Sequence, residues 1–87
     1  MNIPDKIKIK GIEFDIIIED LGETIFGDYT ALSQKIRLNS KASKEHRELT
    51  LIHEIIHALD IELKEAVVEI LAQDLWLVLK ENKLLKD

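Results

Sequence analysis

Residues 44–59 read KEHRELTLIHEIIHAL, and their apolar side chains recur at the spacing of one helical face. The hydrophobic period changes here from about 2 to about 3.6, so this segment divides a strand-rich first half from a helical second half. The apolar stripe has five members: Leu49, Ile52, Ile55, Ile56 and Leu59. His53 and His57 fall on the opposite side of the same helix, where they fit a buried core poorly. One face of this helix therefore packs inward, and the other presents two imidazoles.

His53 and His57 lie one helical turn apart, with Glu54 between them. Side chains at positions i and i+4 have Cβ atoms about 5–6 Å apart, so two imidazoles can bind one zinc ion. Glu54 projects about 100° round the helix, where it can act as general base on a zinc-bound water without being a ligand. Such a histidine pair can be incidental, but two of the three histidines in the chain occur here. We therefore predict a zinc site with His53 and His57 as ligands.

The first half of the chain predicts two hairpins. Residues Lys6–Lys10 alternate lysine with isoleucine, as an exposed edge strand does, and Gly11 permits a turn into a second strand at Ile12–Glu19. Asp28–Leu32 and Gln34–Leu38 form a second pair of candidate strands. Together they predict a three- to four-stranded, mostly antiparallel sheet. Three residues after the last strand can cap the following helix: Asn39, Ser40 and Ser43.

A second helix is predicted from Glu62 or Lys64 to Asn82, after a short break at Asp60–Lys64. It is apolar on most sides, so it is either well buried or partly the interface of a homo-oligomer. Its least apolar face carries Glu65 and Glu69 at positions i and i+4. We therefore expect one α+β domain over residues 1–87, in which a small sheet precedes an active-site helix and a glutamate helix.

A catalytic zinc usually takes three protein ligands, and the absence of cysteine makes a carboxylate the natural third one. His46 lies about 10.5 Å along the helix from the pair, too far to share its ion. Asp60 is too close in sequence to complete a tetrahedron comfortably. Glu65 and Glu69 can each be aimed at the metal from the second helix, where the small Ala72 allows close helix packing. We favour Glu69 as the ligand and leave Glu65 open, either supporting the ligands or at the surface.

Composition narrows the classes of function. The net charge of −5 argues against a nucleic-acid partner, which would require a basic surface. We find no uncharged run of membrane-spanning length and no signal peptide in Met1–Lys10, so we expect a cytoplasmic protein. Without cysteine, disulfide scaffolds, thiolate zinc sites and cysteine catalysis are excluded.

The chain resembles the gluzincins, in which a Glu-x-x-Ala motif on the helix after His-Glu-x-x-His supplies the third zinc ligand. Here the two motifs are His53–His57 and Glu69-Ile70-Leu71-Ala72. More narrowly, Lys35–Leu38 followed by Leu51–Leu59 is similar to the edge strand and active-site helix of small phage proteins of the ImmA/IrrE type and of minigluzincins. This resemblance covers roughly residues 27–82 and implies a zincin-like core with zinc-dependent endopeptidase activity. In the ImmA-like case it implies a helix-turn-helix repressor as substrate.

Two functions remain open. The first is a zinc endopeptidase in which Glu54 is the general base and either Tyr29 or His46 is a second donor to the oxyanion. Its peptide or protein substrate would pair with an exposed strand, for which we expect Gln34–Leu38. The alternative is a catalytically weak or latent regulatory module that acts through protein–protein contacts, since 87 residues leave little wall for a substrate cleft. A purely structural zinc site is less favoured, because it would normally show four ligands.

Overall fold

A computed structural model of the protein describes residues 1–85. Four strands precede two helices: β1 (Lys6–Ile9), β2 (Ile12–Glu19), β3 (Gly27–Thr30), β4 (Lys35–Asn39), α1 (Lys44–Leu59) and α2 (Glu65–Glu81). The predicted α+β class, with a sheet followed by two helices, is confirmed. Both predicted hairpins are present, since β1 pairs antiparallel with β2 and β3 pairs antiparallel with β4.

The strand order in the sheet is β1-β2-β4-β3, and the central pair β2 and β4 is parallel. The lysine-bearing β1 lies at one edge, as predicted. The expectation that Gln34–Leu38 is an exposed strand is wrong, because β4 lies between two neighbours. Its side chains explain this position: Ile36 and Leu38 are fully buried, whereas β3 has no fully buried residue and forms the other edge.

The core lies between one face of the sheet and α1. Six buried side chains form it: Ile9, Phe14, Ile16, Ile36, Leu38 and Leu51. The period of two along each strand sends the alternate side chains to the other face, which is open and charged. There Lys6 pairs with Glu13, and Arg37 pairs with Asp28. This two-layer arrangement leaves the far side of α1 free to pack against α2.

Local chemistry sets both ends of α1. The hydroxyl of Ser43 accepts a hydrogen bond from the backbone N–H of His46 at 3.1 Å, which caps the first turn as the sequence predicted. At the other end, the backbone N–H of Asp60 still donates to the carbonyl of Ile56, but Asp60 itself is extended. A loop of residues 60–64 then reverses the chain into α2.

Among the described elements, α2 packs against α1 alone. The carboxylate of Glu48, which is buried in α1, accepts a hydrogen bond from Trp76 Nε1 at 3.3 Å and pairs with the amino group of Met1 at 3.0 Å. Val68 and Ala72 are fully buried, so the helices do approach closely at Ala72. Within residues 1–85, neither helix combines the length and the apolar character needed to cross a membrane.

Candidate metal centre

His53 and His57 are brought together on one side of α1, as their spacing predicted. Their Nε2 atoms are 3.1 Å apart, and the two rings are tilted, with centroids 4.8 Å apart. Both side chains are about four-fifths buried, with 20% and 18% of their surface exposed. The two nitrogens therefore point at a common position rather than away from each other.

The third member of this group is Glu65, the first residue of α2. Its Oε1 lies 2.8 Å from Nε2 of His53, and its Oε2 lies 2.7 Å from Nε2 of His57. One ligand atom from each of the three residues lies within 4.8 Å of the other two. The short loop explains this placement: the N–H of Leu63 bonds the carbonyl of Asp60 at 3.2 Å, and the chain turns back beside the last turn of α1.

Glu69, which the sequence and the gluzincin resemblance both favour as third ligand, does not belong to this group. It lies one turn further along α2, about 5.4 Å by the helical pitch, and lines the adjoining cavity. The carboxylate that the structure groups with the two histidines is thus that of Glu65 rather than that of Glu69. The physical reason is the short loop of residues 60–64, which brings the first turn of α2, rather than its second, alongside the histidines.

Glu54 is separate from the three ligand candidates, as its position on the helix predicted. Only 7% of its surface is exposed, it lines the cavity, and its carboxylate accepts no hydrogen bond from the residues that the structure describes. Burial raises the pKa of Glu54 to about 7. The charge of His57 opposes this rise, while the carboxylates of Glu65 and Asp28 add to it. A carboxyl group with a pKa near neutrality is suited to taking up and releasing a proton.

The cavity beside these residues has a volume of about 470 Å³. Its walls come from α1, from the start of α2 and from the loop before β3, and include Ile25, Phe26, His46, Leu49 and Gln73. The rings of Phe26 and His46 stack with centroids 3.9 Å apart and an interplanar angle of 13°. This volume lies at the lower end of the range for small-ligand pockets, enough for one or two residues of a peptide.

The two candidate oxyanion donors are placed differently. His46 lies in the cavity wall on the same side as Glu54, and it is not part of the ligand group. Tyr29 lies on β3 with its ring 6.2 Å from that of His57, outside the cavity lining. Of the two residues that the sequence left open, His46 is therefore the one that borders the space open to a substrate.

Two residues that shape the site were not predicted from the sequence. A Cβ atom on Gly27 would come within 2.5 Å of the carbonyl oxygen of Arg37 and within 2.7 Å of Cγ2 of Thr50. The missing side chain is therefore what allows β3 to lie against α1 at the cavity. In the sequence Gly27 is one glycine between two candidate strands, and no pattern there indicates this close approach.

The second is Asn39, which the sequence identified only as a candidate helix cap. Its buried amide group donates to the carbonyls of Gly22 and Ile25, at 2.8 and 2.6 Å. Its oxygen accepts from the backbone N–H groups of Leu21 and Lys41. Asn39 thus fastens the loop that forms the lip of the cavity.

The donor set fits zinc. Tetrahedral zinc with Zn–N bonds of about 2.0–2.1 Å separates two nitrogen ligands by roughly 3.3 Å, close to the 3.1 Å between the Nε2 atoms. Two imidazoles and one carboxylate are the ligand types of catalytic zinc sites, and within residues 1–85 the group contains no fourth protein ligand. Three ligands with a fourth position left for solvent are typical of a hydrolytic site rather than a structural one.

No known protein family, curated protein or solved structure matches the chain significantly.

Proposed function

We propose that this protein is a zinc-dependent endopeptidase whose metal is held by His53, His57 and Glu65. The observation that supports this most strongly is the convergence of two Nε2 atoms and one carboxylate beside a cavity that also contains Glu54. Glu54 is largely buried, yet its carboxyl group borders this cavity and burial raises its pKa to about 7, which is typical of a group that exchanges a proton in a reaction.

Each residue has a separate role in the proposed reaction. When bound, zinc lowers the pKa of a coordinated water towards 7 and polarises a carbonyl group. Glu54 accepts a proton from the attacking water and transfers it to the nitrogen of the leaving amine. His46, which lies on α1 in the same cavity wall as Glu54, is the candidate donor of a hydrogen bond to the oxygen of the scissile carbonyl.

The substrate class follows from the sheet edge nearest the site. β3 is an edge strand, and its first residue, Gly27, lines the cavity. An extended peptide that adds to β3 by main-chain hydrogen bonds would pass beside the ligand group. We therefore propose β3 as the substrate strand, in place of Gln34–Leu38. The resemblance to ImmA-like proteins makes a helix-turn-helix repressor the first folded substrate to test.

The test is the cleavage of an unstructured protein such as casein by the zinc-loaded chain. We expect cleavage that EDTA abolishes and zinc restores, and a loss of at least about 100-fold in Glu54→Gln with zinc content unchanged. Glu62→Gln, which removes a carboxylate from the exposed loop before α2, is the matched control and should keep full activity. Full activity in Glu54→Gln would refute the assignment of the base.

A second candidate function is a binding module with a latent site, and one observation favours it. Six large apolar side chains of α2 are exposed, which is typical of a surface that another protein covers. If the wild-type chain binds zinc stoichiometrically yet cleaves neither casein nor a repressor, this second function is the correct one.

A further inference from the structure

The side of α2 turned away from α1 is unusually apolar. Six residues form this surface, which we name the outer face: Val67, Ile70, Leu71, Leu75, Leu77 and Val78. Between 42% and 62% of each is exposed. By the helical period they span about 160° of the helix circumference. A helix that is apolar nearly all round is normally buried on all sides, yet α2 has only α1 as a neighbour among the described elements.

The size of the outer face sets what can cover it. From their exposures, the six side chains present roughly 500–600 Å² of accessible surface, so complete coverage in two copies together would bury about 1,000 Å². That is the area above which a specific protein–protein interface is expected, before any contribution from flanking residues. The area therefore suits an isologous contact between two copies of this chain.

We propose that the protein forms a two-fold symmetric dimer in which the outer faces of two α2 helices pack antiparallel. A two-fold axis at the middle of α2 sets Val67 against the partner's Val78, and Ile70 against the partner's Leu75. These are apolar pairs of similar size, as packing requires. The arrangement leaves the metal centre open, because Glu65 and Glu69 project from the opposite side of the helix.

Charge complementarity supports the same register. Lys64 and Glu81 are exposed at the two ends of α2. They lie about 25 Å apart within one chain, by a rise of about 1.5 Å per residue, and cannot interact there. In the antiparallel dimer, each Lys64 lies opposite the partner's Glu81. Any energetic coupling between these two residues must therefore arise between chains.

One residue in the outer face opposes association. Asp74 is exposed in the middle of the apolar surface and has no ion-pair partner among the residues that the structure describes. Dimerisation brings its carboxylate into the contact, where desolvation is unfavourable. Replacing it with a neutral amide should therefore tighten the dimer, an effect that has no counterpart in a monomer.

The first experiment measures mass by sedimentation equilibrium. The 10.0 kDa chain should approach about 20 kDa as its concentration rises. Val67→Lys and Val78→Lys should weaken dimerisation at least tenfold, and Asp74→Asn should strengthen it about threefold or more. The control is Leu32→Lys in the turn between β3 and β4, which replaces a leucine that is 97% exposed and should change nothing. A wild-type chain that stays at 10.0 kDa up to a few hundred micromolar overturns the proposal.

The second experiment tests the register. Lys64→Glu and Glu81→Lys should each weaken the dimer roughly two- to fivefold, as expected for an exposed ion pair. The double variant re-forms both ion pairs with reversed sign, so its dissociation constant should return to within about twofold of wild type. Losses that simply multiply in the double variant would exclude the antiparallel arrangement. Neither experiment depends on zinc or peptidase activity.

Discussion

Replacing the proposed general base should make the metal-free protein more stable at neutral pH. In the unfolded chain Glu54 has its ordinary pKa of 4.5, whereas in the folded protein burial raises it to about 7. The folded state therefore binds the proton more tightly than the unfolded state between these two values. The contribution of Glu54 to the stability of the folded protein therefore falls as pH rises from 4.5 to 7, and it is constant above pH 7.

The size of the effect follows from the same pKa difference. Each unit of this pKa difference corresponds to about 1.4 kcal/mol. The full free-energy cost of ionising Glu54 in the folded protein is therefore about 3 kcal/mol. Because its carboxylate borders an open cavity, hydration lowers this cost, and we expect about 1–3 kcal/mol. Glu54→Gln removes the ionisation. For a domain of this size, its melting temperature at pH 8 should exceed that of wild type by roughly 5–15 °C.

The assay is thermal and urea unfolding in EDTA at pH 4.5 and pH 8. The increase in stability caused by Glu54→Gln should be large at pH 8. It should be nearly absent at pH 4.5, where the wild-type Glu54 carboxyl group is protonated in the folded protein. Glu62→Gln should change stability by less than about 0.5 kcal/mol at both values of pH. An equal gain at both values of pH would mean that shape rather than charge causes it, and the raised pKa of Glu54 would be refuted.

Three other changes test the remaining parts of the site. Glu65→Ala should lower zinc affinity by 100-fold or more while Glu69→Ala lowers it by less than about tenfold, as measured by competition with a chromophoric chelator; the reverse order would return the third-ligand role to Glu69. Saturating zinc at about 100 times its dissociation constant should stabilise the wild-type protein by about 2.7 kcal/mol in calorimetry, and the absence of any shift would show that the folded state holds no zinc. Gly27→Ala should destabilise by about 1–3 kcal/mol in urea unfolding, since its Cβ overlaps the carbonyl of Arg37; a neutral result would show that β3 can shift away from α1 without cost.

The sequence predicted those features that repeat regularly along the chain. The alternation in Lys6–Lys10 located an edge strand, and the helical spacing around His53 and His57 located α1 and its polar face. Both signals depend on neighbours in sequence, where backbone geometry fixes the spacing of side chains. The pairing of β2 with β4 has no such signal, because it depends on how the loop before β3 returns across the sheet.

The choice between Glu65 and Glu69 as the proposed third ligand also could not be predicted from periodicity in the sequence. Glu65 and Glu69 lie on one face of α2, and periodicity alone assigns them equal access to a metal. Which of them reaches His57 depends on where α2 begins relative to the end of α1. That offset is set by residues 60–64, whose turn contains a backbone hydrogen bond from Leu63 to Asp60 and has no repeating pattern. Loop geometry, rather than the motif, thus decides which glutamate lies beside the histidines.

The position of Glu65 also makes metal binding part of how α2 is held. Near its C-terminal end, α2 is fastened to α1 by the hydrogen bond from Trp76 to Glu48 and by the ion pair of Lys80 with Glu45. In its first turn Val68 is buried, and the one polar contact with α1 among the described residues is that of Glu65 with the histidines. A pair whose carboxylate is this exposed contributes less than about 1 kcal/mol. Zinc at this point would replace a weak contact with coordination bonds. Its binding free energy would then also hold the first turn of α2 against α1, so the group proposed for catalysis would complete the packing of the two helices.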